Sequence, residues 1–289
     1  MKPELPSLPA GLKPGLYLVA TPIGNARDIT LRALDILAAV DVIAAEDTRT
    51  LRKLLDIHGV PLGDRPLIAY HDHSGETGRA GILKLIGEGR SVAYVSEAGT
   101  PLVSDPGYAL ARDAGAAGLL VTAAPGASAV LAALSLAGLP SDRFLFAGFA
   151  PATRAARLTW LEELVGVPAT LVIYESPRRV EGLLTDLVET AGGERQAAIA
   201  REITKKFEEV LRGTLSELLA GLEGRTLKGE VVVLVDRGKT QVADETMETA
   251  LRRALETMSL KDAAATVAEA YGLKRRRVYQ AALELEKDG

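Results

Sequence analysis

The sequence contains no cysteine. That absence excludes disulfides, thiolate metal sites and cysteine nucleophiles, and it suits a reducing cytoplasm. A basic excess is missing too. Lys and Arg number 34 against 38 Asp and Glu, for a formal net charge of −4, so any nucleic-acid binding has to come from a local patch rather than from the field of the whole molecule. Residues Met1 to Pro14 are interrupted by prolines and hold no apolar h-region; they read as a loose arm, not a signal peptide. Charge is absent from Ala114 to Ser141, a stretch long enough to span a bilayer. Pro125-Gly126 splits it and Gly115, Gly118 and Gly138 dilute it. The expectation is therefore a buried strand over Leu119–Val121, a tight loop, and a buried Ala/Leu helix ending at Gly138-Leu139-Pro140.

Phosphate signatures are lacking as well. No Gly-x-Gly-x-x-Gly follows the first strand, and Gly238-Lys239-Thr240 has Val233 where a P-loop requires its first glycine, so the triplet reads as a solvated strand end. His71 and His73 lie two apart and would share one side of an extended chain. No third ligand stands at supporting spacing, so polar loop residues or substrate contacts are preferred to a metal. His58, before Gly59, reads as a helix C-terminal residue.

What is present is a rhythm. Apolar runs at Leu16–Ala20, Val42–Ala45, Leu67–Tyr70 and Val92–Val95 alternate with helical patterns, the first helix opening at Thr30 with Leu31, Leu34 and Leu37 along one face and the second running from Thr50 to Ile57. That alternation indicates βαβ units and a parallel sheet. Past Pro140 the rhythm changes. Phe144–Phe149, with Gly148 and Pro151, reads as a hinge into a second α/β unit with strands near Leu171–Tyr174, Ala197–Ala200, Val210–Arg212 and Val231–Val235. Their shorter spacings predict a mixed sheet. The chain from about Met247 to Lys287 reads as helices alone, with a cap at Ser259-Leu260-Lys261-Asp262 and a helix pair joined at Gly272, in the manner of a helix-turn-helix. At 289 residues the chain is comfortable for two domains. The expected division is an arm 1–14, an α/β unit 15–140, a second α/β unit 141–238, a linker 239–246 and a helical module 247–289.

Four strands end in loops rich in small and turn-forming residues: Thr21–Asn25, Ser96–Gly107, Ala124–Ser128 and Glu175-Ser176-Pro177. Loops at the carboxyl ends of strands in such sheets converge on a ligand cleft. Acidic loop residues, Glu97 and Asp105 among them, suit a neutral or cationic ligand. Glu46-Asp47-Thr48-Arg49 places two carboxylates, a hydroxyl and a guanidinium at a strand end, either to cap the next helix or to work at the cleft edge. Arg201–Lys206 is a second charged cluster at a strand end. Lys274, Arg275, Arg276 and Arg277 open the last helix, as a solvated face or as the one clear nucleic-acid footprint.

Read together, Leu18-Val19-Ala20-Thr21-Pro22-Ile23-Gly24-Asn25, Ala45–Arg49, His71-Asp72-His73, Ser96–Pro101, Ser104–Gly107, Gly138–Phe144 and Tyr174–Pro177 resemble the ribosomal RNA small-subunit methyltransferase I family of the tetrapyrrole methylase superfamily. The resemblance runs from Leu16 to the C-terminus. It implies two α/β domains and a small RNA-binding helical module, in a cytoplasmic homodimer without membrane segment or metal. It further implies methyl transfer from S-adenosylmethionine to the ribose 2′-oxygen of a cytidine in the decoding region of small-subunit ribosomal RNA, leaving S-adenosylhomocysteine. The partner is that RNA or the assembled 30S subunit. Donor contacts carried over by the resemblance are Pro22, Gly24, Ser96, Ala98, Gly99, Thr100, Val103, Asp105, Ser128, Ala129, Tyr174, Gly229 and Glu230. This chain has Gly99-Thr100-Pro101 where tetrapyrrole-modifying relatives carry Gly-Asp-Pro, which favours the RNA branch; Glu97 replaces an Asp and Ala127 a Pro. For catalysis we expect Glu46 or Asp47 as proton acceptor with Arg49 holding phosphate or carboxylate. A tetrapyrrole or small-molecule methyltransferase is the rival enzyme, and a ligand-sensing nucleic-acid-binding regulator the non-enzyme rival.

Overall fold

The structure is a computed structural model that describes residues 11–71, 74–104, 107–237 and 244–287. Asp72, His73, Asp105, Gly238-Lys239-Thr240, most of the arm and most of the linker lie outside the described residues. The first unit holds β1 (Gly15–Val19), α1 (Leu31–Ala39), β2 (Val42–Ala45), α2 (Thr48–Ile57), β3 (Leu67–Ala69), α3 (Gly75–Gly87), β4 (Ser91–Val95), α4 (Tyr108–Ala116), β5 (Val121–Ala124) and α5 (Ala129–Ala137). Its sheet runs β3-β2-β4-β1-β5, parallel throughout. Both faces are covered, which is why its strands are apolar without alternation. Tyr17, Val19, Ile43, Ala45, Ala93 and Val95 pack on α1 and α2, while Leu16, Val42, Ala44, Val92 and Tyr94 pack on α3 and α4.

The second unit holds β6 (Phe144–Phe149), α6 (Arg154–Leu164), β7 (Thr170–Glu175), α7 (Val180–Ala191), β8 (Gln196–Arg201), β9 (Glu209–Thr214), α8 (Leu215–Gly221) and β10 (Val231–Val235). Its order is β6-β7-β10-β8-β9. Only β6 and β7 pair in parallel; the other pairs are antiparallel, so the sheet is mixed as expected. Strand period two divides it cleanly. Leu171, Ile173, Ile199, Val231, Val233 and Val235 face α6, α7 and α8; Val172, Ala198, Ala200, Val232 and Leu234 face Val130, Ala133, Leu134 and Ala137 of α5. Helix α5 precedes the expected boundary at 140 yet covers the second sheet, and Arg212 Nε of β9 donates to Leu136 O at its end (3.1 Å). Helices α9 (Asp244–Leu255), α10 (Leu260–Ala270) and α11 (Arg275–Lys287) close on a core of their own around Leu251, Ala264, Val267, Val278 and Ala282.

Four expectations need correction. The strand expected at Leu119–Val121 lies at Val121–Ala124. Gly118 in a left-handed conformation and a Leu119 N–H donating to Ala114 O (3.0 Å) use those residues to close α4. The Phe144–Phe149 hinge is strand β6, whose alternation is broken by a bulge between Phe146 and Gly148. Helix α2 starts at Thr48 rather than Thr50 because Asp47 caps it. Helix α9 begins at Asp244, inside the stretch read as linker.

Candidate active site

The four small-residue loops converge. They line a cavity of about 470 Å³ between the two sheets, within the range of small-molecule sites. Two ties join the first three loops, and a third fastens the Ser96–Gly107 loop to the end of β2. Thr21 and Gly99 exchange backbone hydrogen bonds (Thr21 N to Gly99 O 2.9 Å, Gly99 N to Thr21 O 3.1 Å), a close approach that the positive φ of Gly99 permits. Thr100 Oγ1 donates to Ala127 O (2.9 Å). The Glu97 N–H donates to Glu46 Oε2 (3.1 Å), holding the Glu46 carboxylate at the edge of the first sheet.

From the first unit the wall takes Ile23, Glu46, Glu97, Ala98, Gly99, Thr100, Val103, Ser104, Ser128 and Ala129; from the second it takes Phe149, Tyr174, Glu175, Ser176, Pro177, Gly229, Glu230, Val231 and Val232. Of the expected donor contacts, Ala98, Gly99, Thr100, Val103, Ser128, Ala129, Tyr174, Gly229 and Glu230 are therefore together. Pro22 and Gly24 flank the lining Ile23 without lining it. Gly24 instead lies against Lys205 and Thr204, and the Asn25 N–H donates to Thr204 Oγ1 (3.0 Å). Ser96 is buried beneath the loop, its hydroxyl donating to Gly99 O (3.3 Å), and Ser128 caps α5. Sequence reasoning did not single out Phe149 for the site, and it placed Ile23 and Ser104 in converging loops without a role. It placed Glu175 and its neighbours in a converging loop, without a role.

Among the described lining residues are four carboxylates, Glu46, Glu97, Glu175 and Glu230, and no Lys or Arg. Two of them are paired with cations behind the wall, Glu175 with Arg179 and Glu230 with Lys205, so the negative potential that favours a cation comes chiefly from Glu46 and Glu97. Glu175 is buried, its Oε1 accepting from the Ser176 N–H (2.7 Å) and its Oε2 lying 3.0 Å from Arg179 Nη2. Glu230 is held by Lys205 Nζ (3.0 Å), which also donates to Glu202 (3.1 Å). Burial acts to lower the Lys205 pKa, but the hydrogen bonds to Glu230 and Glu202 and the attraction of their charges together outweigh it, raising the pKa above the usual lysine value. Among the described residues, Leu102, Ser104, Glu202 and Thr204 are the non-glycine residues at positive φ. Ser104 lines the cleft and Leu102 shares its loop; Glu202 and Thr204 lie in the loop after β8, held by Lys205 and the Asn25 N–H.

The expected catalytic trio separates. Glu46 lines the cavity. Asp47 does not: Oδ1 accepts from the N–H groups of Arg49 (2.7 Å) and Thr50 (3.3 Å), and Oδ2 pairs with Arg49 Nη2 (3.2 Å). The Arg49 side chain and these N–H groups hold the Asp47 carboxyl below its usual range, which makes it the poorer proton acceptor. Arg49 is itself exposed. The Lys274–Arg277 run is exposed at the start of α11. The His71 N–H donates to Ser74 Oγ (2.9 Å), and His58 Nε2 lies 2.8 Å from Ala26 O at the end of α2. No group of three or more metal-ligating side chains occurs among the described residues, and no helix among them is long and apolar enough to cross a membrane.

The family model of the tetrapyrrole (corrin/porphyrin) methylases matches residues 15–219, and that of the RsmI C-terminal HTH domain matches residues 241–286. The chain is 50% identical over 287 residues to the ribosomal RNA small subunit methyltransferase I of Mesorhizobium japonicum, covering 98% of this chain and 95% of that one. It is 43% identical over 273 residues to that of Escherichia coli O157:H7, covering 93% and 94%. A uroporphyrin-III C-methyl transferase from Thermus thermophilus, complexed with S-adenyl homocysteine, shares the fold with a TM-score of 0.52 at 20% identity, covering 78% of this chain and 98% of that one. The chain thus belongs to the ribosomal RNA small subunit methyltransferase I family, a family of methyltransferases within the tetrapyrrole methylases.

Proposed function

We propose that this protein methylates the ribose 2′-oxygen of a cytidine in the decoding region of small-subunit ribosomal RNA, with S-adenosylmethionine as donor. The observation that carries the reading is the cleft: four carboxylates and no lysine or arginine among the described residues that line about 470 Å³, in a chain of this family. A sulfonium donor is a cation with an apolar adenosine body, and the residues present fit it. Glu46 and Glu97 supply negative potential, Ile23, Val103, Ala129 and Tyr174 supply apolar wall, and Gly99, at positive φ, brings its backbone into that wall. When bound, S-adenosylmethionine supplies an electrophilic methyl group, with S-adenosylhomocysteine as the product.

The protein's own work is then positioning and proton transfer. Orientation of reacting groups is worth about 7–11 kcal/mol in well-aligned systems, and the ties from Thr21 to Gly99 and from Thr100 to Ala127 hold the walls that provide it. Glu46, kept in place by the Glu97 N–H, accepts the 2′-hydroxyl proton as the oxygen forms its bond to carbon. Lys274, Arg275, Arg276 and Arg277 grip phosphate. Four cations at the N-terminus of α11 oppose its macrodipole, an arrangement that an RNA phosphate relieves. That patch also separates the reading from a tetrapyrrole substrate, which offers no phosphate backbone. The test is mass-spectrometric mapping of ribosomal RNA after incubation of 30S subunits with enzyme and donor. One added methyl on a cytidine ribose is the expected result; methyl transfer to a tetrapyrrole in a parallel reaction and none to RNA would overturn it.

A further inference from the structure

Phe149 is 60% exposed while lining the cleft. Its position is produced by the bulge in β6. In a regular strand, residues three apart point to opposite faces; here the register shift between Phe146 and Gly148, with Gly148 at φ 73°, brings both Phe146 and Phe149 onto Tyr174. The ring centroids lie 4.7 Å and 5.4 Å from that of Tyr174, each pair edge-to-face at 65°. Bulges of this kind re-aim a side chain next to a site. The backbone beyond the ring is clamped: Arg179 Nη2 donates to Ala150 O (2.5 Å) and Pro151 O (2.8 Å), and the same nitrogen lies 3.0 Å from the buried Glu175 carboxylate. Gly148 borders Ser104 of the loop after β4, so the ring stands where the two walls meet.

An aromatic face fixed by its edge, open to water and set among carboxylates suits a neutral, flat group rather than a phosphate. We propose that Phe149 is the stacking surface for the base of the target nucleotide, a positioning residue that holds the nucleotide while its 2′-hydroxyl is presented to the cleft. The inference rests on the ribose methylation proposed above. Single-stranded and splayed bases are held on aromatic side chains in this way, and loss of one such ring weakens binding about 5- to 150-fold.

The test uses the full chain, S-adenosylmethionine and 30S subunits. Phe149→Leu, which keeps apolar bulk without a π face, is expected to lower kcat/KM for the subunit about 5- to 150-fold, chiefly through KM. Donor affinity by titration calorimetry and the sedimentation coefficient stay as in the parent, and Phe149→Tyr restores the rate. If the parent methylates the cytidine ribose and Phe149→Leu does so equally well, this inference alone fails. A parallel loss of donor affinity would assign the ring to the donor, and a changed sedimentation coefficient would assign it to a contact between copies; either overturns the proposal. A parent that transfers no methyl to the ribose overturns both readings.

Discussion

Glutamine at position 46 separates the two carboxylates at the end of β2. Glu46→Gln preserves the side-chain length and an oxygen that still accepts from the Glu97 N–H, now 3.1 Å from Oε2, so the cleft edge keeps its shape. What it removes is a group able to hold the 2′-hydroxyl proton. A placed base contributes about 10²–10⁴-fold, about 2.7–5.4 kcal/mol of barrier, and kcat is expected to fall by that factor with donor and subunit binding unchanged. Asp47→Asn is the control. Asparagine caps helices as well as aspartate does, so α2 keeps its N–H partners, and the lost ion pair to exposed Arg49 contributes little in solvent; kcat is expected within about threefold of the parent. The assay is single-turnover methyl transfer to 30S subunits at saturating donor, followed by nucleoside mass spectrometry, with calorimetry for the donor. A Glu46→Gln enzyme that keeps its rate, or an Asp47→Asn enzyme that loses it, refutes the assignment.

Alanine at Lys274, Arg275 and Arg276 together should weaken RNA binding and flatten its salt dependence by about two units of slope, with donor affinity intact; filter binding across a salt series reads both. Asp186, nearly fully buried, accepts from Arg154 Nε (3.0 Å) and Arg157 Nε (2.7 Å). Asp186→Ala leaves buried Arg157 uncompensated and should cost about 3–5 kcal/mol in denaturant unfolding, much of it recovered by Arg157→Met in the same chain. Asp41 accepts from the Ser91 N–H (2.8 Å) and hydroxyl (2.7 Å), and these bonds hold its pKa below the usual value. Because the folded value is the lower one, this contribution is present above the unfolded pKa of about 3.9 and is lost as pH falls through the folded value. Thermal melts across the acid range should show a shallower decline for Asp41→Asn than for the parent.

Much of the fold was legible because its signals are local. Val231–Val235 coincides with β10, and the Thr30 side chain accepts from the Ala33 N–H as an N-cap does, since periodicity and capping act within a few residues. That the loop Ser96–Gly107 lies at the cleft was legible from small and turn-forming residues ending a strand. What escaped depends on distant partners. The bulge that turns Phe149 toward the cleft is defined by pairing with β7; Gly148 is a local hint of it but does not say which way the ring turns. Asp47 and Glu46 are adjacent carboxylates in the sequence; the choice between capping and lining the cleft is made by α2 on one side and the Glu97 N–H on the other.

The seat of α5 has an implication for how such a chain can be divided or inherited. Cut at residue 140, the leading fragment would carry Val130, Ala133, Leu134 and Ala137 with nothing to cover them, and the trailing fragment would bare Val172, Ala198, Val232 and Leu234. The two α/β halves are interleaved, each completed by the other, so neither is an exchangeable module and the cleft between them comes into being only when the whole folds. The terminal helices, with their separate core, are the part of the molecule that recombination can add, lose or replace.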